Sequence, residues 1–279
     1  MSIKNNTLSY ALLMVLATVL PTPAEYTLVF PPRDDDPMRV HVYRLDNGLT
    51  VYLSENHQEP RFYAEILVRA GSKHDPSDAT GIAHYLEHML FKGSGRIGTL
   101  DYESERKHLD RIVALYEEHF TERFEPRRRE IYAEINREAQ AAAQFAIPNE
   151  LDRMYTAMGE RALNAHTSLE RTVYKVDLPS NRFDHWTKVE SERFANPVFR
   201  LFQTELETVY EEKNRSMDDK GRVIRAAVAR QLYKNHPYGN TTLGSVEHLK
   251  NPSLERIYEF YRTYYVPGNM AIAVSGDIN

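Results

Sequence analysis

The chain has 279 residues, 42% of them hydrophobic and 27% charged, enough for one large domain or two small ones built on an apolar core. Its formal net charge of -5 offers no basic field to draw in nucleic acid, so nucleic acid is not expected among its partners. It has no cysteine, which excludes disulfides and thiolate metal sites; any zinc must be held by histidine and carboxylate.

Residues 1–24 read as a signal peptide: Lys4, an apolar stretch from Tyr10 to Leu20, then Pro21, Thr22, Pro23 and Ala24 before Glu25. Export to the periplasm or outside the cell is the expectation, with no membrane span in the mature chain, because no later segment is long and apolar enough to cross a bilayer. Residues 25–37, with the Pro- and Asp-rich run from Pro31 to Pro37, read as a linker, and 38–279 as the main domain.

His41 to Ser54 reads as a hairpin, since Val42, Leu45, Leu49, Val51 and Leu53 flank Asp46-Asn47-Gly48, and Asn-Gly supplies the positive φ angles of tight hairpin turns. A third strand is predicted over Arg61 to Ala70. A helix then begins near Thr80, carries His84 to Phe91 and stops at Gly93. Residues from about 101 to 146 are rich in Glu, Arg, Lys and Ala, with Ile112, Leu115, Tyr116, Ile131, Ile135 and Ala139 at helical spacing. This predicts two charged helices broken near Pro126. Thr167 to Leu178 reads as a strand, about 182–194, 200–218 and 253–264 as helices, and Met270 to Ser275 as a last strand. The irregular mixing of helices and strands predicts an α+β fold.

His84-Tyr85-Leu86-Glu87-His88 is the sharpest chemical feature. At about 100° per residue, His88 lies roughly 40° from His84 on one side and Glu87 roughly 60° on the other, so all three share one helix face. Two imidazoles one turn apart can hold one ion. A metal ion lowers the pKa of water toward neutrality, and a neighbouring carboxylate can take the proton, leaving a nucleophile for a peptide carbonyl. A catalytic zinc takes three protein ligands, so a third is needed. On the predicted helix from Leu201 to Met217, Glu205 and Glu212 fall together, near -100° and -120° from Leu206, while Glu207 and Glu211 fall on the other flank of the apolar face, near 100° and 140°. The seven-residue step stacks Glu205 and Glu212 two turns apart, so one can reach a metal while the other orients a ligand.

With these residues in view, the chain resembles the inverzincin peptidases, the family of pitrilysin, insulin-degrading enzyme and mitochondrial processing peptidase. Gly81 to Gly93 resembles the family's active-site helix. Leu206-Glu207-Thr208-Val209-Tyr210-Glu211-Glu212-Lys213-Asn214 is similar to its second motif, whose glutamate completes the zinc site with an acidic residue seven places earlier in support. The resemblance implies one zinc per chain held by His84, His88 and Glu212, Glu87 as catalytic base and Glu205 as supporter. Asn164-Ala165-His166-Thr167-Ser168 resembles the stretch where an edge strand meets substrate backbone, which implies substrate contacts at Asn164 and Ala165; His166 stands where the family has an aromatic residue. Tyr264 to Met270 and Ser275-Gly276-Asp277 resemble the end of the core peptidase region.

The implied fold is α+β, a mixed, largely antiparallel sheet with packed helices, and the implied reaction is zinc-dependent endoproteolysis of peptides or unfolded segments. Glu212 follows His88 by 124 residues, longer than the family's usual spacing, which reads the charged pair at about 101–146 as a helical insertion. Family members carry two or four related domains, so a first domain lacking its C-terminal domains or a partner subunit is expected, with poor cleavage alone. A silent scaffold subunit and a structural zinc module are the rival readings; a retained base at Glu87 speaks against both.

Overall fold

A computed structural model describes residues 25–278; the signal peptide read at 1–24 lies outside the described residues. The centre of the molecule is set by alternation in Arg61–Val68 (β4), where Phe62, Ala64, Ile66 and Val68 are buried and the residues between them are more exposed. Thr172–Pro179 (β6) pairs antiparallel on one side, putting Leu178, Val176 and Tyr174 opposite Phe62, Ala64 and Ile66. Met270–Gly276 (β7) pairs antiparallel on the other, with Val274 opposite Ala64. These side chains form one apolar sheet face, and the helices pack on it.

With Tyr26–Phe30 (β1), His41–Leu45 (β2), Thr50–Glu55 (β3) and Arg161–Thr167 (β5), the sheet has the order β1-β2-β3-β7-β4-β6-β5. Only β3 and β7 run parallel; every other neighbouring pair is antiparallel, giving the mixed, largely antiparallel sheet expected of the α+β fold. β5 is the edge strand beyond β6.

The helices among the described residues are Ile82–Met89 (α1), Tyr102–Thr121 (α2), Glu125–Ala143 (α3), Glu150–Met158 (α4), Phe183–Ala195 (α5), Phe202–Asp218 (α6), Lys220–Leu232 (α7), Val246–Lys250 (α8) and Leu254–Tyr264 (α9). None is long and apolar enough to cross a membrane. α1 is buried almost throughout, and its N-terminus is closed by Asp75, whose carboxylate accepts from Gly81 N at 2.7 Å and Ala83 N at 2.9 Å. α2 and α3 pack through Ile112, Leu115, Tyr116, Ile131 and Ile135. The break between them falls at Glu122 to Phe124, and Pro126 sits in the first turn of α3, where its missing N–H is not needed.

Three sequence expectations are corrected. Residues 25–37 are not a linker throughout, because Tyr26–Phe30 pairs with β2 as an edge strand. The β2–β3 turn runs from Asp46 to Leu49, and Gly48 alone is left-handed, at φ 91, with Gly48 N donating to Leu45 O; a single positive φ replaces the pair that a two-residue Asn-Gly turn needs. Thr167 to Leu178 is a hairpin corner rather than one strand: Thr167 ends β5, the chain turns through Ser168 to Arg171, and β6 begins at Thr172.

Candidate metal centre

α1 lies against α6 and the edge strand β5, and a groove of about 560 Å³ opens where the three meet. Its lining includes His84, Glu87, His88, Asn164, Ala165 and Glu212. All of the residues singled out from the sequence therefore reach one place, Glu205 included.

The two imidazoles face each other through Nε2, 3.3 Å apart, and Glu212 Oε2 stands 3.5 Å from His84 Nε2 and 3.7 Å from His88 Nε2. A tetrahedral ion bound at about 2.0–2.1 Å separates its ligand atoms by roughly 3.3–3.4 Å, so the triangle fits zinc. Three electron-pair donors this close repel one another unless a cation or a proton lies between them. His84, His88 and Glu212 are also the metal-competent cluster found among the described residues.

Glu205 bonds the other side of one imidazole, with His88 Nδ1 and Glu205 Oε1 2.6 Å apart. A carboxylate only accepts, so in the neutral ring the proton sits on Nδ1 and the Nε2 lone pair faces the cluster. The second oxygen of Glu205 pairs with the Lys92 ammonium. No such partner meets His84 Nδ1, which is buried without a hydrogen bond among the described residues. The two histidines therefore titrate apart. Burial, reinforced by the His88 charge, pulls His84 down to about 4. Burial pulls on His88 as well, but the Glu205 hydrogen bond and the charges of Glu205, Glu87 and Glu212 outweigh it and hold His88 above its ordinary value. Glu205 is likewise buried, yet its bonds to His88 and Lys92 hold it below the usual carboxylate range.

Glu87 is buried, 7% exposed, and accepts a hydrogen bond from Thr167 Oγ1 at 2.5 Å. Burial raises its pKa, with Glu212 adding to the rise, while Thr167 and His88 oppose it. A raised carboxylate pKa suits a group that must take and return a proton near neutrality. Asn164 and Ala165 lie on β5, whose outer edge has no strand beside it among the described residues. His166 also lines the groove.

Sequence reasoning gave no role to Lys92 or Thr167. Lys92 stands four residues after His88, at the end of the 3-10 turn Leu90–Lys92 that follows α1, and within reach of Glu205; that spacing was the available signal. Thr167 meets Glu87 across 80 residues, a pairing that only the packing of β5 on α1 creates.

The family model for insulinase, peptidase family M16, matches residues 50–111 and 138–246, and the interruption falls on the outer part of the α2–α3 pair. The probable zinc protease PqqL of Haemophilus influenzae is 26% identical over 242 residues, covering 85% of this chain and 21% of that protein. Among solved structures, pitrilysin superposes with a TM-score of 0.65 at 19% identity, covering 92% of this chain and 23% of that one. The periplasmic protease PqqL from Escherichia coli does so with a TM-score of 0.61 at 20% identity, covering 90% and 23%. This chain thus spans 21–23% of the length of these relatives, and the structural likeness is one of fold. The match of fold and family model has one conclusion: the chain belongs to the insulinase family of metallopeptidases, peptidase family M16.

Proposed function

We propose that the chain carries the zinc centre of a metalloendopeptidase acting on peptides or unfolded segments. The convergence of His84 Nε2, His88 Nε2 and Glu212 Oε2 beside a buried Glu87, in one open groove, is the observation that carries the reading. On this reading those three side chains hold one zinc ion and Glu205 fixes the ring of His88. Zinc, when bound, supplies Lewis acidity that polarises the scissile carbonyl and brings water within reach of a weak base.

The chain's own residues do the rest. Glu87 takes a proton from the attacking water as the new C–O bond forms, and passes it to the amide nitrogen as the C–N bond breaks. Thr167 holds the Glu87 carboxylate in place for both transfers. Asn164 and Ala165, on the free edge of β5, offer backbone groups to an extended substrate, which adds as a further strand. Residues 38–279 act as the peptidase domain in this scheme, with the α2–α3 pair as a helical insertion relative to the family's usual spacing. Further domains or a partner subunit complete the chamber around the substrate. An exported location is part of this reading, supported by the apolar N-terminal segment of the sequence.

A silent scaffold or a purely structural zinc has no use for a buried carboxylate held beside the ligands. Metal analysis and cleavage of an unstructured peptide separate the readings. Glu87→Gln is expected to keep zinc and to lose turnover by at least about 10²-fold. Undiminished turnover in that variant would remove Glu87 from the mechanism.

A further inference from the structure

The ligands come from two helices, and no backbone hydrogen bond joins α1 to α6 among the described residues, so side chains must set their registration. Tyr85 Oη of α1 donates directly to Phe202 O in the first turn of α6 at 2.5 Å, and a second tie runs from just outside both helices. Arg200, two residues before α6, is 1% exposed and uses all five of its N–H donors. Nη1 donates to Lys92 O at 2.5 Å and Ile97 O at 2.8 Å, and Nη2 to Ser94 O at 2.6 Å, so the guanidinium gathers the loop that leaves α1. Nε donates to Glu105 Oε1 at 2.9 Å and Nη2 to Oε2 at 3.3 Å; Glu105, in the first turn of α2, is fully buried.

Two backbone features mark the loop and the helix entry on either side of this guanidinium. Gly98 has φ +90, and a Cβ there would lie 2.6 Å from Arg200 Nη1. Leu201, the residue between Arg200 and α6, takes a left-handed φ of 54, a conformation that a bulky residue keeps only when its surroundings impose it. From Arg200 a polar chain continues to the site. The carbonyl of Lys92 is held by Arg200, its ammonium pairs with Glu205, and Glu205 holds His88 Nδ1.

We infer that Arg200, locked by Glu105, is a positioning residue of the metal centre: it ties the exit of α1 to the entry of α6 and so sets Glu205 and Glu212 against His84 and His88. The inference rests on the zinc reading of that cluster. It also makes the base of the α2–α3 pair part of the site's support, since Glu105 belongs to α2. A pair that merely stabilises the fold would behave like Arg193 and Glu190, which are also buried and lie within α5: Glu190 accepts from Tyr155 of α4, and Arg193 lies over the Phe91, Tyr174 and Phe194 rings, with no bond to α6.

The experiment is zinc affinity of the full chain, by competition with a chromophoric chelator, at a temperature where circular dichroism shows each variant folded. Glu105→Gln and Arg200→Lys are expected to weaken zinc binding by at least about 10-fold, the size of effect seen when support behind a ligand is lost. Gly98→Ala, which crowds the guanidinium without removing it, serves if either of those fails to fold and should weaken binding in the same direction. Glu190→Gln should lower the melting temperature and leave zinc affinity unchanged. Unaltered affinity in the folded Arg200, Glu105 and Gly98 variants, with wild type binding zinc, overturns the positioning role alone. A wild-type chain that takes up no zinc overturns the site reading and this inference together.

Discussion

His108 and Glu138 join α2 to α3 at 2.7 Å, and His88 and Glu205 join α1 to α6 at 2.6 Å. By distance the two pairs are interchangeable. Their surroundings differ: the side chains of the first are 34% and 32% exposed and lie among other surface pairs such as Arg111 with Glu134 and Arg127 with Glu118. Those of the second are 23% and 11% exposed, and the imidazole presents its other nitrogen to a second histidine and a second glutamate. A histidine–glutamate pair thus becomes part of a metal site only where further electron-pair donors aim at the same point. Elsewhere it is a surface contact worth little.

The sharpest way to break this comparison is to delete each histidine. His88→Ala should abolish zinc binding, whereas His108→Ala should leave zinc content at the wild-type level. Elemental analysis of the two purified variants reads the difference, and equal zinc in both would mean that the comparison has no functional content.

A smaller effect is expected from the two glutamates. Glu205→Gln should weaken zinc affinity by roughly 10- to 100-fold without abolishing it, because the ligand stays and only its orientation and basicity suffer. Glu138→Gln should change stability by no more than about 1 kcal/mol and zinc affinity not at all. Complete loss of zinc in Glu205→Gln would make Glu205 a direct ligand.

The third contrast is in pH. His88 is held above its ordinary value of 6.5, so near pH 6 it carries a proton that zinc must displace, while His84, pulled down to about 4, is already neutral there. Zinc affinity should therefore fall by about 10-fold for each pH unit below the His88 pKa, the slope of one displaced proton. In Glu205→Gln the main group raising His88 is gone, so the fall should begin at lower pH. Calorimetric titrations in buffers of different ionisation enthalpy count the protons; two released at pH 6 would contradict the assignment.

Much of this was readable before any coordinates, for physical reasons that differ by element. α1 is a buried helix whose apolar spacing and chemistry coincide, and the seven-residue step from Glu205 to Glu212 survives any small error in helix ends. β4 and β6 alternate strongly because one face is buried. β5 was legible only through the family resemblance at Asn164 to Ser168, because an edge strand exposing Arg161, Asn164 and His166 has a weak apolar alternation. α7 escaped because it buries no residue, so its sequence carries no core-facing stripe. α4 was missed as well, although it buries Leu151 and Tyr155. β1 needed knowledge of its partner, as strand pairing is non-local. The same holds for the supports of the site: Thr167 with Glu87 and Arg200 with Glu105 are separated by 80 and 95 residues, beyond any local pattern.

The central claim is that one ion is held by two imidazoles of α1 and one carboxylate of α6. A crystal of the zinc-soaked chain, with data on both sides of the zinc absorption edge, tests it most directly. The account predicts one strong anomalous peak per chain, at about 2.0–2.2 Å from His84 Nε2, His88 Nε2 and Glu212 Oε2. A peak ligated by Glu207 or Glu211, or zinc bound only at surface pairs such as His108 and Glu138, would contradict it.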